Sequence, residues 1–92
     1  MDKRNVFVFA VGNMPLNPIK LMQTVNFIKL LDGFIGLHPC YPKGTLLVFD
    51  SLNNSKRARN ILQDNGVQCG TYIMKATLTA DNKNLLVEGV AE

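Results

Sequence analysis

Few residues in this chain have the type and spacing to do chemistry. The one histidine, His38, stands two residues before Cys40 in the stretch HPCYPKGTLLVF, and the second cysteine is Cys69. A zinc site takes about four nitrogen or sulfur ligands, usually anchored by a close Cys-x-x-Cys or His-x-x-x-His pair. Three such residues without that pair do not make one. A nucleophilic cysteine needs a base in reach and a partner to orient that base, and the His38-x-Cys40 spacing supplies neither. The seven carboxylates, Asp2, Asp32, Asp50, Asp64, Asp81, Glu88 and Glu92, are dispersed. Most stand where elements end, and Asp is an ordinary turn former there. The stretch AVGNMP has one glycine, short of the spaced glycines of a phosphate cradle. No catalytic residue, metal ligand or cofactor-binding residue is therefore assigned, and the chain is read as non-catalytic.

The wider composition agrees with a binding role. The chain has 92 residues, of which 47% are hydrophobic. That is enough for one domain spanning 1–92 and its core, with little apolar material to spare. Ten Lys and Arg against seven Asp and Glu give a net charge of +3. Nucleic-acid binders usually gather such charge on one surface. Here Lys3, Arg4, Lys20, Lys29, Lys43, Lys75 and Lys83 are scattered, and only Lys56, Arg57 and Arg59 stand together, as a solvated helix face would. The first apolar run, after basic residues, is about six or seven residues long, at or below the range of a signal-peptide core. No run approaches the roughly 18–20 residues of a membrane-spanning helix. The expectation is a cytoplasmic protein with reduced thiols and no membrane contact.

The elements that must position these residues follow from the pattern. NVFVFAV (5–11) reads as a strand apolar on both faces. Asn17 and Pro18 suit a helix start, and the helix runs to about Leu31, where Asp32 and Gly33 stop it. Leu21, Met22, Val25 and Ile28 form its main apolar stripe, while Ile19, Phe27 and Leu30 lie on nearly the opposite side. FIGLH (34–38) and TLLVFD (45–50) read as a hairpin. A second helix fits within 51–66, capped by Asn53 or Asn54, with Ala58, Ile61 and Leu62 toward the sheet. Residues 68–80 read as one long strand, DNKN as a turn, and LLVEGVA (85–91) as a returning strand. The order is β-α-β-β-α-β with an added C-terminal strand. This is the ferredoxin-like split βαβ pattern, a two-layer α+β sandwich with both helices on one face of an antiparallel sheet.

Among families with this layout, acylphosphatases carry an arginine in the loop after the first strand, and GNMPLNP has none. Copper chaperones and true ferredoxins carry clustered cysteines, absent here. KGTLLVF (43–49) resembles the third-strand signature of the RNA recognition motif. FDSLNNSKRARNIL resembles the strand-to-helix passage that follows it there, and VFAVGNM its first-strand motif. The resemblance covers about half the chain and implies bases stacked on aromatic rings of the central strands. At the matching third-strand positions stand Thr45 and Leu47, or Leu46 in a shifted register, none aromatic. The nucleic-acid contacts it implies are Phe7, Phe9 and Phe49 as rings, with Lys43 and Lys75 as cations.

The leading expectation comes from the sheet face that the helices leave uncovered. With Phe7 and Phe9 pointing away from the helices, Leu47, Phe49 and Ile73 join them. In the opposite register Val6, Val8, Leu46 and Val48 take that face. Either way it is apolar, and a large exposed apolar patch marks an interface. Ile19, Phe27 and Leu30 form a second unpartnered group. The expected function is self-association or binding of a protein partner through Phe7, Phe9, Leu47, Phe49 and Ile73, with Ile19, Phe27 and Leu30 as further interface candidates.

Overall fold

The computed structural model describes residues 3–12, 26–39 and 44–92. It is an α+β fold built on one five-stranded antiparallel sheet with two helical segments. The strands are β1 (Lys3–Val11), β2 (Phe34–Pro39), β3 (Thr45–Phe49), β4 (Met74–Thr79) and β5 (Leu85–Val90); the helix α1 is Leu52–Asp64, and residues 26–29 are also helical. Their order across the sheet is β2-β3-β1-β4-β5. The expected helix start at Asn17 and Pro18, the stripe residues Leu21, Met22 and Val25, and Ile19, Cys40 and Lys43 all lie outside the described residues.

Local chemistry explains most boundaries. β1 starts at Lys3, two residues before its apolar pattern, because Lys3 and Arg4 pair with Thr79 and Leu78 of β4. Backbone pairing extends a strand where hydropathy alone would end it. The turn after residues 26–29 passes through Gly33 at φ 75°. A side chain there would strike the Asp50 carboxylate and Asn54, so glycine is required both for conformation and for space. The cap of α1 is Ser51, not the expected Asn53 or Asn54. Ser51 is still extended, and its Oγ accepts the Asn54 N–H at 3.2 Å. Asn54 instead donates its side-chain amide to Asp50 at 2.9 Å. At the other end, Asn65 bonds back to Ile61 and Gly66 takes φ 80°, as the Asn-Gly pair implies.

The expected single strand over 68–80 is broken. Cys69 forms an isolated bridge to Val11, flanked by Gly12 N–H to the Gln68 carbonyl and Gly70 N–H to the Ala10 carbonyl. Regular pairing resumes only at Met74 opposite Val8. Between these points this chain spends four residues where β1 spends two, so Thr71 and Tyr72 are pushed outward. Two extra residues shift the register but keep the period-two phase, so Cys69 and Ile73 both pack with the cluster of Phe9 and Val11.

The register decides which residues face which way. Phe7 lies opposite Phe49, and Phe9 opposite Leu47. Phe9, Val11, Leu47, Phe49 and Ile73 form one buried cluster with Ile28 of the helical residues and Ala58 and Leu62 of α1. The Phe9 and Phe49 rings stack at 5.5 Å, and Phe34 meets Phe49 edge-on at 5.7 Å. Full burial of each such ring contributes about 1.5–3 kcal/mol. Alternation sends Val6, Val8 and Val48 to the other face, where they cluster with Ala76 and Leu78. These five are also buried, at 0–1% exposure. The sheet face expected to stand open is therefore closed within the single chain.

Candidate interaction surface

Among the described residues, the chemistry-bearing side chains are not brought together. His38 is half-buried on β2 opposite Leu46. Cys69 is a free, partly buried thiol. Burial pushes its pKa up, and the nearby Arg59 guanidinium opposes that only in part. Open clefts among the described residues include one of about 310 Å³ beside Lys3, Arg4, Ala80 and Asn82, and one of about 290 Å³ lined by residues 10–12 and 68–70. Among the described residues, no three His, Cys, Asp or Glu side chains gather as metal ligands would. No helix there is long and apolar enough to cross a membrane.

The expected interface residues are placed differently from their assignment. Phe9, Leu47, Phe49 and Ile73 are fully buried among the helical residues, and Phe7 packs half-buried against the same cluster. A large aromatic on a strand is worth most where it can be covered on both sides, so the phenylalanine register faces the helices. The same burial removes Phe9 and Phe49 as stacking platforms for bases. Lys75 is exposed opposite Phe7. Phe27 and Leu30 are exposed, as their position off the main stripe implies. The basic trio is tied locally: Lys56 pairs with Glu92, Arg57 with Asp32 at 3.9 Å, and Arg59 donates to the Thr71 carbonyl at 3.0 Å.

What stands exposed and apolar instead is β5. Leu86 is 67% exposed, Val87 40% and Val90 61%. The strand's one charge, Glu88, accepts a hydrogen bond from the Thr77 hydroxyl at 2.9 Å. Thr79 N–H donates to the Asn84 carbonyl at 3.0 Å. The register then runs Leu78–Leu85, Thr77–Leu86 and Ala76–Val87. Antiparallel ladders alternate between bonded and non-bonded pairs. The main-chain groups of Leu86 therefore face β4, while those of Leu85 and Val87 face away from it. No strand among the described residues pairs with that outer edge. Both edge strands carry a register irregularity, β2 between Phe34 and Gly36 and β5 at Glu88, and β2 also ends in Pro39, which has no N–H.

Sequence reasoning read LLVEGVA as a strand but missed it as a surface, because it weighed faces and not edges. The signal was present: LLVEGV is apolar with one charge and no proline or lysine, the devices that protect an edge. Compared with protein-family models, with curated proteins and with solved structures, the chain matches none.

Proposed function

We propose that this chain is a small non-catalytic interaction domain that associates with a second copy of itself. We read its architecture as the ferredoxin-like split βαβ, both helices on one face, with β5 added beyond β4. In support, helical residue Ile28 and the α1 residues Ala58 and Leu62 share one cluster with β1 and β3. The cytoplasmic setting expected from its cysteine usage goes with this reading. One observation carries the function: the exposed apolar side chains of β5 lie on a strand whose outer main-chain groups have no partner among the described residues. Unpaired strand edges of this composition recruit another strand. The sheet face that first suggested self-association does not supply the surface; the sheet edge does.

Sedimentation velocity tests this. A six-residue edge makes an interface at the small end of the range, so a dimer is expected at about 100 μM, dissociating toward low micromolar concentrations. Leu86→Lys leaves the circular-dichroism spectrum unchanged, because Leu86 is exposed, and yields monomer. Leu30→Lys, on the helical layer, leaves the dimer intact. A wild-type chain that stays monomeric across this range overturns the proposal. A dimer lost with Leu30→Lys and kept with Leu86→Lys moves the surface to the helices.

A further inference from the structure

Resting on that self-association, the geometry points to one mode of pairing. We infer that two β5 strands pair antiparallel about a two-fold axis at Leu86, joining the sheets of both copies into one. The argument starts from the outward main-chain groups. Leu85 and Val87 are the β5 residues whose N–H and C=O face away from β4, given the Thr79–Asn84 bond and the register. An axis at Leu86 sets Leu85 opposite Val87 of the second copy, and Val87 opposite its Leu85. Both are then bonded pairs, and every outward group of the two residues finds a partner. Leu86 meets Leu86 of the second copy at a non-bonded position, where side chains approach most closely.

Side-chain chemistry selects the same register. Leu85 and Val87 lie on the face of Leu78 and Ala76, so their cross-copy pairs are apolar on apolar. Moving the axis to Glu88 sets two carboxylates against each other, which is destabilising. Moving it to Val87 carries the pairing across the register shift at Glu88, whereas an axis at Leu86 keeps the bonded pairs on the regular residues 85–87. Pairing β5 with β2 of another copy joins unlike edges and would propagate into filaments, and β2 ends in Pro39, which has no N–H to give a ladder. Pairing like with like closes at two.

The test uses the full chain with Cys40→Ser and Cys69→Ser, first confirmed to sediment as the parent does. Cα atoms at a non-bonded pair stand about 4.5 Å apart, within disulfide range. Leu86→Cys in this background is expected to give cross-linked dimer under mild oxidation. Val87→Cys stands about 8–9 Å from its counterpart, by two residues of strand rise and one inter-strand step, and is expected to cross-link at least about ten-fold less. A chain that dimerises by sedimentation but cross-links through Val87→Cys, or through neither position, overturns this register and leaves self-association standing. Cross-linked ladders beyond dimer from Leu37→Cys paired with Leu86→Cys overturn two-fold closure. Absence of any dimer overturns the underlying reading itself.

Discussion

Asp81 sets the turn that delivers β5 to the sheet edge. Its carboxylate accepts the Thr79 hydroxyl and the Lys83 N–H, while Asn82 takes φ 61°. The Thr79 bond, then the Lys83 bond, hold its pKa below the ordinary carboxylate value. A carboxylate whose folded pKa is depressed adds stability above its unfolded pKa, and that stability is lost as pH falls through the folded one. Thermal melting from about pH 7 to pH 3 is expected to lose more for the wild type than for Asp81→Asn. Parallel melting curves would show that the turn's bonds are not linked to ionisation. DNKN was legible as a turn because Asp and Asn take such conformations readily. The cap of α1 was less legible. Ser51, Asn53 and Asn54 are all good cap types, and the choice fell to Ser51 because β3 delivers that residue, still extended, to the start of the helix.

At the scale of elements, that cap gives a direct test. The Ser51 oxygen satisfies one of the donors that a helix start leaves open. Ser51→Ala is expected to cost about 1 kcal/mol in urea unfolding, with an unchanged slope. Asn54→Ala, which loses only an exposed bond to Asp50, is expected to cost less. If Asn54→Ala were the costlier, the cap would lie where the sequence first suggested. The strands were legible in kind because Val, Phe and Leu runs between Gly, Pro and Asn have few other readings. Their facing was not. NVFVFAV is apolar in both phases, so period-two alternation could not choose between Phe7 with Phe9 and Val6 with Val8. Packing chose, by placing Phe9 on Phe49 under the helical residues. The break in the strand over 68–80 had the same origin. Thr71, Tyr72 and Ile73 continue a β-like composition, and an excursion of two residues keeps the alternation in phase, so nothing in the pattern marks it.

For the whole molecule, the decisive point is that both faces of the sheet are buried in one chain. A 92-residue domain has a net stability of about 5–10 kcal/mol. Val8 is fully buried in the second cluster, beside Val6, Val48, Ala76 and Leu78. Its neighbours in that cluster among the described residues are all apolar, and an unpaired buried charge costs several kcal/mol. Val8→Asp is therefore expected to unfold the chain, or bring its melting close to ambient temperature, as read by circular dichroism. Leu86→Lys, by contrast, is expected to keep the fold and lose only the partner. The contrast separates two ways of using an apolar strand. Were Val8→Asp to remain folded and merely monomeric, the second face would be an interface and β5 a bystander. With Val8→Asp unfolded and Leu86→Lys folded, the apolar residues of β1 are spent on the core. That leaves β5 as the proposed association surface, its side chains exposed and its outer main-chain edge without a partner among the described residues.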